Sequence, residues 1–309
     1  VQERLRSGWL NGIKHQQVDH GGSSRLPARR AVVDDVLMTA RCVLDMELAL
    51  KVTEAGRMAL SVAVAGTAGL ESEQLSFRGT GSEAGTPTAE LVEFPHGTRL
   101  HVVDLTEGEL TVHYRAERAC RDTEAEAVSP ADVIRYTRPS RYCPSDRIGA
   151  VAAAEFGHLS DVRGKIEAIV RFIGDRILYV SGSSRVTDDA TNTLLGGEGV
   201  CRDFAHLGVT FCRALDIPAR FVSVYAPGLF PMDFHAVFEA AIDGRWYVFD
   251  ATHLAPRQSM TRIATGRDAA DTAFLTTLGC RLDLTSTTVT ATIDPHLPQD
   301  DGAELVTLA

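Results

Sequence analysis

Cys201, His235 and Asp250 stand in that order along the chain. These three residue types can combine a sulfur nucleophile, a proton carrier and a group that orients the carrier. Cys201 follows the glycine-rich stretch Gly196-Gly197-Glu198-Gly199 and opens a segment in which Phe204, Leu207, Gly208, Phe211 and Leu215 mark one helical face. Three features of that position favour the thiolate. The helix N-terminus supplies partial positive charge, the glycines let the backbone bend and approach a substrate, and Arg202 adds a cation.

The base for such a thiol has to come from elsewhere in the chain, and a hairpin offers it. Asp243-Gly244 separates His235–Ile242 from Arg245–Asp250, two runs of strand composition, and Asp-Gly is a strong two-residue hairpin signal. Ile242 then faces Arg245. Counting outward, His235 falls opposite Thr252 and Asp250 opposite Val237, so Asp250 is diagonal to His235 on the same face. Diagonal neighbours lie about 7–8 Å apart at Cα, within side-chain reach. The carboxylate can accept one imidazole N–H, leaving the other ring nitrogen for the Cys201 sulfur. A four-residue loop keeps this parity, whereas a three-residue loop puts the pair on opposite faces.

The remaining candidates have structural readings. Cys42, Cys120, Cys143, Cys212 and Cys280 read as small core residues, and His206, some 140° round the helix from Cys201, as a hydrogen-bonded structural histidine. His253 reads as surface or cleft rim, Asp203 as favouring the helix dipole, and Asp268 and Asp271 as loop ties. Cys201, His235, Asp250 and His253 are zinc-ligand types, but no tight pair such as His-x-x-x-His supports a metal site. For an oxyanion the Cys201 N–H is one donor. The second stays open between Tyr179 and Asn192.

These residues need elements to position them. Residues 1–33 are polar and Gly/Ser/Arg-rich and read as a lead-in. In 34–118 the hydrophobic period is two: Leu44, Met46, Leu48, Leu50 and Val52 alternate with polar or small residues, and Met58, Leu60, Val62 and Val64 and then Leu110, Val112 and Tyr114 repeat the pattern. That predicts an antiparallel β-sandwich with turns such as Gly79-Thr80-Gly81. Residues 119–147, polar and containing Pro130, Pro139 and Pro144, read as a linker. Residues 148–300 form the chemistry-bearing domain. It has a helix capped by Ser160 or Asp161, the helix opened by Cys201, a buried strand over 221–225, the hairpin, and a late Thr-rich strand with Val289, Ala291 and Ile293 on one side; 301–309 is a tail. The fold class expected is α+β.

The chain has 309 residues, 44% of them apolar and 23% charged, which excludes disordered, collagen-like and disulfide-scaffold classes. A net charge of -10, from 31 basic against 41 acidic residues, disfavours nucleic acid and anionic membranes as partners. The sequence has no run of about 18 apolar residues and no apolar leader block, so a cytoplasmic location is the expectation.

Three segments together resemble bacterial transglutaminase-like proteins. They are Gly199-Val200-Cys201-Arg202-Asp203-Phe204-Ala205-His206-Leu207, Asp233-Phe234-His235-Ala236 and Trp246-Tyr247-Val248-Phe249-Asp250. Gly266-Arg267-Asp268-Ala269-Ala270-Asp271, Tyr142-Cys143-Pro144-Ser145-Asp146 and the alternating N-terminal region extend the resemblance over most of the chain beyond the lead-in. Val237 departs from it, since many relatives have Trp there, as does Ala251-Thr252, where relatives often have a Pro-containing turn. The resemblance implies a papain-like core with Cys201 as nucleophile, His235 as base and acid, and Asp250 as orienter. The reaction it implies is acyl transfer through a thioester on a peptide or protein carboxamide, to water or to an amine, without metal or organic cofactor. A reading from another class is a non-catalytic interaction module that retains the fold and docks partners through its β-domain.

Overall fold

The computed structural model describes residues 40–79, 88–120 and 123–308. The lead-in expected over 1–33, and Thr80-Gly81 of the expected turn, lie outside them. The described chain is a mixed α/β fold of antiparallel sheets with five helices. In chain order come β1 (Arg41–Glu54), β2 (Gly56–Leu60), β3 (Leu70–Gly79), β4 (Ala89–Glu93), β5 (Arg99–Leu105) and β6 (Gly108–Ala119). Helices α1 (Pro130–Tyr136), α2 (Gly149–Phe156) and α3 (Val162–Arg176) follow, then β7 (Leu178–Tyr179), α4 (Ala190–Gly196), β8 (Glu198–Gly199) and α5 (Cys201–Ala214). The chain continues through β9 (Ala219–Tyr225), β10 (Phe234–Ile242), β11 (Arg245–Phe249), β12 (Thr261–Gly266), β13 (Leu275–Leu278) and β14 (Arg281–Asp294).

Two four-stranded sheets, in the orders β14-β1-β6-β3 and β13-β2-β5-β4, bury their inner faces in one cluster containing Leu44, Met46, Leu60, Val103 and Val112. The alternation of β1 accounts for its share: Cys42, Leu44, Met46, Leu48, Leu50 and Val52 are all buried. A third sheet, β11-β10-β9-β12, carries α5 across it. Helix and sheet touch at Gly208, where a Cβ would stand 2.4 Å from the Phe238 ring; only a glycine lets α5 lie this close. Ile166, Ile169 and Ile173 of α3 pack into the same core. Asp161 caps α3 by accepting the Gly164 N–H.

Three stretches are placed differently from the sequence reading. The late Thr-rich strand, assigned above to the chemistry-bearing domain, is β14, and it pairs with β1 from Arg41↔Asp294 to Glu54↔Arg281. The partner is far away in sequence, so local pattern could not name it. The stretch read as a linker is partly built in. Ser129 caps α1 in a capping box, Trp246 N–H bonds Glu126 O, and Tyr136, Tyr142 and Cys143 are buried. The tail docks as well: Val306 bridges Val248, and Val306 and Leu308 are buried beside Val222, Val224 and Val237. Among the described residues no helix is long and apolar enough to cross a membrane.

Candidate active site

Cys201 is the first residue of α5, with Val200 as N-cap. Val200 has no side chain able to cap. Asp203 supplies the bond instead, its Oδ2 accepting the Val200 N–H at 2.9 Å, as an acidic third residue does in a capping box. Gly199 makes room for this, since a Cβ there would stand 2.8 Å from the Asp203 Cβ. Arg202, expected to favour a thiolate, turns elsewhere. Its Nη2 donates to Ser184 Oγ and Arg185 O, both at 2.6 Å, and to Asp203 Oδ1 at 3.2 Å. The support available to Cys201 is therefore the helix terminus and the histidine.

The hairpin has the register read from sequence. Ile242 pairs with Arg245 and Phe238 with Phe249, across a turn in which Asp243 and Gly244 both have positive φ, 50° and 76°. His235, near the start of β10, has a fully buried side chain, and its Nε2 lies 2.9 Å from Asp250 Oδ2. The other carboxylate oxygen is engaged too, with Asp250 Oδ1 accepting the Thr252 N–H at 2.8 Å and its hydroxyl at 2.7 Å. Thr252, which the sequence reading passed over as a departure from the family, thus fixes the rotamer of Asp250. An aspartate two residues before a threonine was the available signal.

His235 Nδ1 is buried and has no hydrogen-bond partner among the described residues. Burial works against charge on the imidazole. The Asp250 carboxylate, helped by Cys201, outweighs it and raises the ring to about 10. Burial opposes charge on Asp250 as well, but His235 and Thr252 hold its carboxyl below the ordinary carboxylate range. The pair is a buried, mutually stabilised imidazolium and carboxylate.

Of the two side chains left open above, Tyr179 on β7 pairs with Gly199 on β8, two residues before Cys201. Its phenol is pushed up to about 12 by burial and by its neighbours Cys201 and Asp233, so it remains a hydrogen-bond donor at neutral pH. Asn192 turns away into the cap of α4, where its Oδ1 accepts the Asp189 N–H at 3.0 Å. His206 is neutral: burial, then Arg202 and Arg213, lower it well below the ordinary histidine value. Its Nε2 accepts the Ala269 N–H at 3.1 Å, and its ring stacks on Tyr142. Asp268 accepts the Tyr142 and Ala270 N–H groups, and Asp271 binds Arg267. Cys143 and Cys212 are fully buried, and burial pushes both thiols up to about 12.

His253 has φ +52° and shares with Asp250 the wall of a 630 Å³ cleft against α3, a cleft that neither Cys201 nor His235 lines. Among the described residues no three His, Cys, Asp or Glu side chains gather in metal-binding geometry.

The family model of the transglutaminase-like superfamily matches residues 151–251, a span that contains Cys201, His235 and Asp250. A solved structure of a candidate cysteine protease from Cytophaga hutchinsonii superposes with TM-score 0.75 at 32% identity, over 86% of this chain and 96% of that one. This chain belongs to the transglutaminase-like superfamily. An uncharacterized protein of Mycobacterium leprae is 28% identical over 170 residues, 50% of this chain and 60% of that protein, so the match spans less than two thirds of this curated relative. The periplasmic domain of TgpA from Pseudomonas aeruginosa aligns at 16% identity and TM-score 0.37, over 73% of this chain and 94% of that one. At a coarse level, superfamily membership supports a thiol enzyme.

Proposed function

We propose that this transglutaminase-like protein is a thiol-dependent acyl-transfer enzyme acting on peptide or protein carboxamides, with Cys201, His235 and Asp250 as its catalytic triad. The observation that carries this reading is the environment of His235: one ring nitrogen is tied to a fixed carboxylate, and the other is buried and unpartnered among the described residues, while Cys201 opens α5 with its thiol half-buried. In the mechanism, His235 holds the proton that Cys201 gives up, and the sulfur attacks the amide carbonyl. The oxygen that becomes negative is met by the Cys201 N–H and the Tyr179 hydroxyl. His235 then protonates the departing amine, leaving a thioester. Water or a second amine, activated by His235, attacks the thioester and releases the thiol. Hydrolysis is the proposed net outcome. The two N-terminal sheets are read as a β-sandwich that buttresses the site, Tyr225 on β9 donating to Val62 O at 2.8 Å.

A peptide library incubated with and without a primary amine tests the function by mass. Backbone cleavage or loss of ammonia supports hydrolysis, amine addition supports transamidation, and an unchanged library favours the non-catalytic interaction module.

The role of Asp250 has a pH signature. A folded-state value raised to about 10, from the ordinary 6.5 or so, keeps His235 charged across neutral pH. Its contribution to stability is complete below pH ~6.5 and is lost as pH rises through the folded value. The same deprotonation sets the alkaline limb of the rate profile. Asp250→Asn is therefore expected to lower kcat by on the order of 10²–10⁴-fold and to move that limb to lower pH. A kcat/KM profile whose alkaline limb does not move contradicts the assignment.

A further inference from the structure

A cleft of 780 Å³ that Cys201 does not line lies between α1, the β5 sheet and the loop after β12. Its rim carries two bulky apolar side chains in water, Phe94 at 51% exposure and Ile134 at 55%. Arg135, Arg138 and Arg267 line it against one carboxylate, Asp271. Asp271 is committed to Arg267 through bonds of 2.8 and 3.0 Å. Among the described residues neither Arg135 nor Arg138 has a carboxylate within 4.0 Å. A protein of net charge -10 thus presents a cleft of mixed lining with two arginines that form no ion pair among the described residues, Arg135 acting on Asp271 only through its field.

The cleft is also preformed. Arg213, 3% exposed, donates to Arg138 O at 3.1 Å on one lip and to Arg267 O at 2.7 Å on the other. Both lips are held by one buried side chain, so an occupant meets a rigid surface and loses little affinity to ordering it.

The geometry points to a docking groove for an acidic peptide segment carrying at least one bulky apolar side chain. Charge complementarity selects the occupant: two guanidinium groups three residues apart call for two carboxylates, and Phe94 and Ile134 call for an apolar side chain between or beside them. A peptide meets all three demands, whereas a single-headed amphiphile meets one cation only. The inference is independent of the catalytic proposal, because nothing in the groove touches the triad.

The test uses the full chain carrying Cys201→Ala, so that binding is read without turnover, and a fluorescein-labelled synthetic peptide of Asp and Glu around Leu-Phe. Anisotropy is expected to show saturable binding that weakens with added salt. Kd should rise at least tenfold when the peptide's acids become Lys, when its Leu-Phe becomes Ser-Ser, and when the protein carries Arg135→Glu with Arg138→Glu. Ile134→Ser, a separate variant at an exposed position, should weaken binding without lowering the thermal midpoint. Absence of binding at millimolar peptide, or equal binding by the charge-reversed protein, overturns the proposal. So does association of the chain with itself or with anionic vesicles that the same variants abolish while peptide binding is untouched.

Discussion

Cys201→Ala is expected to lower amide turnover by on the order of 10⁶-fold, the scale seen when the nucleophile of a coupled triad is removed, while leaving the fold intact. None of Cys143, Cys212 and Cys42 is placed to substitute. Cys143 and Cys212 are sealed in the core, protonated, and Cys42 is fully buried with its thiol pushed up by the neighbouring Cys120 and by burial. The substitution removes one half-buried sulfur at a helix terminus, where the capping bond is made by Asp203 rather than by the cysteine. The thermal midpoint should therefore stay within a few degrees of the native value. Turnover by the alanine protein at the native rate, with an unchanged melt, would show that the nucleophile is another group.

The largest expected effect on stability lies at Glu239, on β10 with His235. Its carboxylate is 1% exposed and receives Arg220 Nε at 2.6 Å and Arg262 Nη1 and Nη2 at 2.8 and 2.7 Å. Arg220, itself fully buried, also reaches Glu126 and lies 4.2 Å from the Trp246 ring centroid. The cluster joins β9, β10 and β12 to the segment that leads into α1. Removing one partner from such a buried ionic group strands the opposite charges and costs about 3–5 kcal/mol. Glu239→Gln is expected to cost that much and to lower the thermal midpoint by roughly 10 °C. Burial opposes charge on Glu239, but the two arginines win and hold its carboxyl below the ordinary value. Its contribution is present above the unfolded value of about 4.3 and is lost as pH falls through the folded one. A loss under about 1 kcal/mol in urea unfolding contradicts this. Replacing Glu239, Arg220 and Arg262 together by apolar residues of similar volume should cost less than Glu239→Gln alone.

The parts of the site legible in the sequence are those governed by local chemistry. Asp243-Gly244 carries the positive φ values a tight hairpin demands, and the register that follows puts His235 and Asp250 on one face with no further information. The glycines before Cys201 and the apolar spacing after it mark a helix start for the same reason. Resemblance to a family supplied the link from the hairpin to Cys201, which no local pattern contains. Contacts between distant segments were not legible. The Thr-rich β14 exposes most of its side chains and buries Val289 and Ala291, so its pattern says strand without saying against what. The polar, proline-containing stretch before α2 hides Tyr136 and Tyr142, whose burial depends on partners such as Trp246 and His206. That Asn192 is committed to the cap of α4 was not legible either.

Thiol alkylation reaches the central claim most directly. Iodoacetamide labelling followed by peptide mass mapping, at a series of pH values, should show Cys201 modified far faster than the other five cysteines and should show that advantage vanish in His235→Ala. Slow, uniform labelling of Cys201, unchanged when the imidazole is removed, would mean that the sulfur and the ring do not work together and that the catalytic account is wrong.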